Sequence, residues 1–319
     1  MLRPWMVGGF LLVQLGLVWA QAYPIKPIRW VVPSTPGDGS DIVGRLLAER
    51  ISRDLGQPVV VENRPGAGGV LGSDAVAKSA ADGYTMIVGN AGSHGVNGGI
   101  YPKLPYDIVR DFTAVALICT APNVMVLSPG IKAASVNEFI AYAKANSGKI
   151  NYASGGVGSS AHLSAELFKS LSGVDMAHIP YKGSAPAVAA VLAGESQVMI
   201  GNLPPWAAQI KAGKVQALAV TTARRHPSLP DVPALAEFLP GFETLAWFGV
   251  LAPAGTPKAI VERINGLINQ ALEQPEIKAR LATTSCDPAG TTPEAFAARV
   301  SADVARWKKL AAERNIRAE

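Results

Sequence analysis

A serine and a histidine stand side by side at Ser93-His94, in AGSHG (91–95), directly after the apolar run YTMIV and Gly89-Asn90. The pattern A-x-S-x-G resembles a nucleophile elbow, the sharp strand-to-helix turn from which a hydrolase serine attacks an ester. Such an elbow leads into a long helix with an apolar face. Here VNGGIYPKLP follows, rich in Gly and Pro. A hydrolase triad in that chain order also needs a histidine after its acid, and the last histidine is His226, in ARRHPSLP. An exported serine esterase using Ser93 is therefore the alternative reading, not the first. His94, His162, His178 and His226 are scattered, with no H-x-x-x-H spacing and no acidic cluster, so no metal site is expected. GAGGVLG (66–72) has a spacing that some nicotinamide enzymes use, but it follows a second strand through Arg64-Pro65 rather than the first strand directly. No cofactor is expected.

A different chemistry recurs along the chain. PSTPGDGSD (33–41), GNAGSHGVN (89–97), ASGGVGSS (153–160) and GNLPPW (201–206) each follow an apolar run and lead towards a helix, and none contains Lys or Arg. In an open parallel sheet, ligands bind beyond the carboxyl ends of the strands. A helix N-terminus there offers free backbone N–H groups and about half a positive charge. Any one of these loops also reads as a plain turn. Four of them, two from each half of the chain, describe a cleft that binds an anion through neutral donors. His162, on the first turn of a helix, reads equally as a packed residue or a ligand contact.

The elements that must position these loops alternate. IRWVVP, PVVVEN, YTMIVGN, FTAVALIC, NVMVLS, KINYAS, DMAHIPY, QVMIGN and VQALAVTT read as strands. Helices are expected over SDIVGRLLAERISRDLG, after the Gly-rich turn of GAGGVLGSDAVAKSAADG, and over SVNEFIAYAKANSG with Ser135 as N-cap, SSAHLSAELFKSLSG, SAPAVAAVLAGE and PPWAAQIKAG. Alternation of this kind gives largely parallel sheets covered by helices on both faces. After FGVLAPAG the tail differs. Two long helices each open with a Thr-Pro pair, Thr256-Pro257 and Thr292-Pro293, read as N-cap and first helical residue. The chain thus reads as an α/β fold of two lobes: residues 23–122 start lobe 1, 123–247 form lobe 2, and 248–319 return to lobe 1. The crossings are expected near Ala121–Val124 and Ala246–Val250, as stiff extended segments.

Residues 1–22 read as an export signal, with Arg3, an apolar stretch from Trp5 to Val18, and Ala20-Gln21-Ala22 as the cleavage site. The apolar stretch is short for a bilayer span and is interrupted by Gln14, so no stable membrane anchor is expected. The net charge of +5 is spread, without a basic run, which argues against nucleic acid. Cys119 and Cys286 could pair, but Cys119 ends the apolar run VALIC and reads first as a small buried hydrophobe.

Several stretches carry a family resemblance: YPIKPIRWVVPSTPGDGSDIVGRLLAERIS, GQPVVVENRPGAGG, DGYTMIVGNAGSHGVN, INYASGGVGSSAHLSAELFKSLSGVDMAHIPYKGSAPA and WFGVLAPAGTP. Together they resemble the Bug family, the substrate-binding proteins of tripartite tricarboxylate transporter systems. The resemblance implies a periplasmic two-lobed binding protein that closes like a Venus flytrap on a small carboxylate, acts as a monomer, and delivers it to the membrane subunits of the permease. Matched by motif, its ligand loops fall on Ser34 and Thr35, Ser93 and His94, Ser154, Ser159, Ser160 and His162, and Asn202. The chain departs from the family pattern in the first loop, where Ser34 replaces a bulky aromatic and Asp38 a glycine. In the fourth loop, Gly201 stands where an acid is common. Asp38 reads either as a charge facing the cleft or as a turn residue that points to solvent, with Asp38 or Asp41 capping the helix.

Overall fold

The computed structural model describes residues 23–314, together with Ile316 and Arg317. The expected export signal and its cleavage after Ala22 lie outside the described residues.

The apolar run IRWVV forms β1 (Ile28–Val32), which is buried on both faces. Asp38 ends the following loop and caps α1 (Gly39–Leu55), which stops at Gly56 in the left-handed region, φ 65°. β2 (Val59–Asn63), α2 (Val70–Ala77), β3 (Thr85–Asn90) and the short α3 (Asn97–Ile100) complete the first run. β4 (Phe112–Leu127) then leads into α4 (Val136–Ala145), β5 (Asn151–Ser154), α5 (Ser160–Ser172), β6 (Ala177–Pro180), α6 (Ser184–Ala193), β7 (Val198–Asn202), α7 (Ala207–Lys211) and β8 (Ala217–Val220). β9 (Leu245–Pro253), α8 (Lys258–Leu272), α9 (Pro275–Thr283), β10 (Asp287–Pro288) and α10 (Pro293–Arg314) finish the chain.

The strands follow the order β2-β1-β3-β9-β4-β7-β5-β6, with β8 and β10 also on β4. β1 pairs in parallel with β2 and β3, and β5 with β6 and β7, while β4 and β9 run antiparallel to their neighbours. Each lobe therefore has a mixed sheet, three parallel strands joined to antiparallel ones, and β4 runs through both. Trp30, Phe248 and Ile264 belong to one buried cluster of the first lobe, and Phe139, Tyr152 and Phe168 to one of the second.

The two strands expected at 112–119 and 123–128 are one 16-residue strand. Between them lies Pro122, which has no N–H to donate to a ladder. It sits where β4 exchanges partners: residues 112–122 pair with β9, and 123–127 with β7 and β8. The missing donor falls in the gap between two ladders. At that crossing the buried side chains of Asn123, Ser164, Thr221 and Thr244 form a polar knot. Thr221 Oγ1 lies 2.6 Å from the Thr244 carbonyl, and Asn123 Nδ2 lies 3.2 Å from both Ser164 Oγ and Thr244 Oγ1.

Two terminal expectations divide. Thr292 caps α10 through Ala295 N–H, with Pro293 as the first helical residue. Thr256 does not cap α8: its hydroxyl donates to Pro253 O at 2.7 Å, and Pro257 takes the N-cap position. The separate helix α9 was not expected, and it begins on Pro275. Cys119 is fully buried, but it is not a free hydrophobe, because it is disulfide-bonded to Cys286. Antiparallel pairing of Pro288 with Cys119 brings the second cysteine within reach.

Candidate functional site

The loops after β1, β5 and β7 and the residue ending β3 meet in one cleft. Its lining includes Pro33, Ser34, Asp38, Asn90, Gly155, Ser159, Ser160 and Asn202, with Gly66, Gly68 and Gly69 on one lip and Gly183-Ser184 on the other. The lobes are drawn together over it. Tyr101 donates its hydroxyl to Val157 O at 3.1 Å across the mouth, and the cavity volume is ≈ 40 Å³. On the same measure a single water needs about 10–15 Å³.

The second lobe supplies donors. Ser159 caps α5 by accepting from His162 N–H at 3.3 Å, so the first-turn amides of Ser160 and Ala161 remain available at the cleft. Ser160 Oγ donates to Asn202 Oδ1 at 2.7 Å, which orients the Asn202 amide and leaves its Nδ2 group for a ligand. α6 starts at Gly183-Ser184 with no side-chain cap. Two helix N-termini thus face the cavity, and no Lys or Arg lines it.

The first lobe supplies a fixed loop with spare polar groups. Asp41 accepts from Gly37 N–H (2.9 Å), Arg45 Nε (2.8 Å) and Asn63 Nδ2 (2.9 Å), which ties the loop to α1 and β2. Asn90 Nδ2 donates to Ser40 Oγ at 2.8 Å. The hydroxyls of Ser34 and Thr35 are buried without a protein partner. Thr35 stands against Gly183 of the opposite lip, so close that a Cβ there would meet Thr35 Oγ1 at 2.1 Å.

Of the residues named from sequence, Ser34, Asp38, Ser159, Ser160 and Asn202 line the cleft, and Thr35 borders it. The other four stand behind it. Ser93 lies one layer back, under Gly69, where its hydroxyl and amide exchange hydrogen bonds with Asn90. Ser154 bonds the Gly156 backbone and His178 Nε2. His162 accepts from Gly158 N–H and stacks on His178 at 4.4 Å in a separate depression with Tyr152, Glu166 and Lys169. His94 is wholly buried, edge-on to Phe112 at 4.6 Å. Its Nδ1 meets Ser93 Oγ at 2.9 Å, but among the described residues its Nε2 has no partner and no acid completes a triad. The stretch 92–96 forms a single wide π-type turn rather than an elbow entering a long helix.

Asn90 and the glycines of the two lips were missed as ligand-facing residues. Asn90 stands in GNAGSHGVN, a loop that the sequence already places at the cleft, and the lip glycines stand in RPGAGG and KGSAPA, stretches quoted above only for their spacing or their family resemblance.

Burial pushes the His94 pKa down to about 3, and those of His162 and His178 down to about 4. For all three, desolvation is the leading cause. Folding therefore holds these rings neutral. Above pH ~6.5 neither state binds the protons, and no stability is lost. As pH falls from there towards 4, the unfolded chain gains protons that the folded one refuses, and stability declines on the order of 1 kcal/mol per pH unit for His94 alone. Thermal melts should show a steady fall in Tm between pH 6.5 and 4. A flat Tm across that window would contradict the buried neutral state.

Comparison with known proteins decides the class. The family model described as "Tripartite tricarboxylate transporter family receptor" matches residues 43–316. The chain belongs to this receptor family. Protein BugT of Bordetella pertussis is 38% identical to it over 296 residues, covering 92% of this chain and 91% of BugT. The R. palustris protein Rpa4515, solved with adipate, superposes with a TM-score of 0.90 at 38% identity, over 92% of this chain and 99% of that one. MatC (Rpa3494) from Rhodopseudomonas palustris, solved with bound malate, gives 0.87 at 34% identity, over 90% and 99%. The receptor is thus a Bug-type solute-binding protein with the two-lobed periplasmic-binding fold, and not an enzyme. The esterase reading of Ser93 falls with that result and with the missing acid.

Proposed function

We propose that the receptor works in the periplasm as a monomer, holding a small carboxylate between its lobes for delivery to the membrane subunits of a tripartite tricarboxylate transporter. The observation that carries this reading is the pair of helix N-termini, α5 and α6, that open onto a cleft without a basic side chain. Neutral donors and helix ends favour a carboxylate there. The adipate and malate of the two R. palustris relatives are of that chemistry.

In this reading Ser34, Thr35 and Asn90 meet the ligand from lobe 1, and Ser160, Asn202 and the amides of Ser160, Ala161 and Ser184 from lobe 2. Ser93, His94, Ser154 and His162 hold the loops from behind. Lobe 1 comprises residues 23–122 and 248–319, lobe 2 residues 123–247, and the hinge lies where the chain crosses between them, near Ala121–Val124 and Ala246–Val250. A panel of small carboxylates in a thermal-shift assay tests the ligand class, because a ligand at a hundred times its Kd adds about 2.7 kcal/mol of stability. Small-angle scattering with a stabilising acid should show contraction of the receptor. An unchanged Tm for every acid would sink the carboxylate reading, and an unchanged scattering profile at saturation would sink lobe closure.

A further inference from the structure

The two walls of the cleft differ in sign. The second lobe brings two helix N-termini and the Asn202 amide. The first brings a carboxylate: Asp38 is only 3% exposed, lines the cavity, and caps α1 by accepting from Ser40 N–H at 3.1 Å. That single amide is a thin share of partners for a buried carboxylate, which has room for about four. Among the described residues no basic side chain forms an ion pair with Asp38, although the neighbouring Asp41 has Arg45. Beside it, Ser34 Oγ is unpartnered, on a residue 8% exposed that lines the same cavity. The first wall thus offers a charged acceptor and a spare hydroxyl where a plain dicarboxylate would place its second negative group. A like charge placed beside Asp38 would repel strongly in a site this closed to water.

We infer that Asp38 makes the receptor selective for small carboxylates that also carry a hydrogen-bond donor, an ammonium or a hydroxyl, directed at the first lobe. The inference rests on the carboxylate reading above. The ligand's acid group lies against the N-termini of α5 and α6, and its donor completes the coordination of the Asp38 carboxylate. An ammonium also neutralises the buried charge, and a hydroxyl only satisfies it. The ≈ 40 Å³ of the closed cavity suits a compact molecule.

The test uses the mature receptor and three matched sets of acids: propionate, lactate and alanine; succinate, malate and aspartate; glutarate, 2-hydroxyglutarate and glutamate. Titration calorimetry should find the donor-bearing acid of at least one set bound 10- to 100-fold more tightly than its plain partner, roughly the worth of a hydrogen bond to a charged group. Asp38→Asn keeps size and helix-capping ability, since Asn caps as well as Asp, and removes the charge. It should cut that preference about tenfold or more, with the larger loss for the amino acid if the bound donor is an ammonium and similar losses if it is a hydroxyl. Circular dichroism and the ligand-free Tm of the variant check that the fold is kept. Plain acids bound as tightly as their partners by the native receptor, or a preference unchanged in Asp38→Asn, would overturn the assignment while leaving the carboxylate reading intact. No binding of any of the nine acids would overturn both.

Discussion

Replacing Gly68 by alanine should weaken ligand binding roughly 10- to 100-fold while the free receptor stays folded. Gly68 has φ +60°, and a Cβ on it would stand 2.1 Å from the carbonyl oxygen of Val157 on the opposite lobe. Backbone cannot step aside as a flexible side chain can. The clash exists only where the lobes meet, so it penalises the closed state and spares the open one. Overpacking of this kind costs typically 1–3 kcal/mol. A receptor whose binding-competent form is depleted by that amount loses affinity in proportion. The left-handed φ adds ~1–2 kcal/mol against alanine in both states, which appears as a modest fall in the ligand-free Tm. Calorimetric titration of any stabilising acid, paired with a melt of the free protein, separates the two effects. Native affinity in Gly68→Ala would mean that ligand is held without the contact between Gly68 and Val157.

Loss of the Cys119–Cys286 bond should lower the Tm by about 5–15 °C. The bond joins residues 167 apart in sequence. In the chain-entropy account, a loop of that length restrains the unfolded ensemble by ~5 kcal/mol, and measured values more often fall at 2–4. For a chain this size each kcal/mol moves Tm by roughly 2–4 °C. Both sulfurs are buried inside the first-lobe core, so a lone thiol would complicate the result. The double variant Cys119→Ala, Cys286→Ala avoids that and leaves two small apolar residues. A Tm within about 2 °C of the native value would show that the bond adds little beyond the packing around it.

Much of this architecture was legible because its signals are local. Ser135 and Thr292 announced their helices as side-chain caps, and each does cap. Thr256 carried the same letters and failed, since its hydroxyl found Pro253 O first. Continuous apolar runs such as IRWVV gave buried strands correctly. β4 defeated the same logic, because whether Pro122 breaks a strand depends on what lies beside it, and only the fold decides that. The cleft was half legible. Polar loops between strand and helix point to a common end of the sheet, which located Ser34, Ser160 and Asn202. Depth is not written in a sequence: Ser93 and Ser34 have the same residue type and similar surroundings, and a single layer of glycine separates a wall from its backing. The disulfide is a contact across 167 residues, and nothing local to either cysteine encodes it.

The unbroken run of β4 through both lobes has a mechanical consequence. A loose linker would let the two halves swing about three axes and slide past one another. Here one extended strand and the nearby start of β9 cross side by side, clamped by the knot of Asn123, Thr221 and Thr244. Two adjacent extended crossings resist shear and twist and leave bending as the soft coordinate. If the lobes close as proposed, each stroke returns Gly68 to Val157 and Thr35 to Gly183 in the same registry, so a pocket assembled from two separate halves can be as reproducible as one cut from a single block.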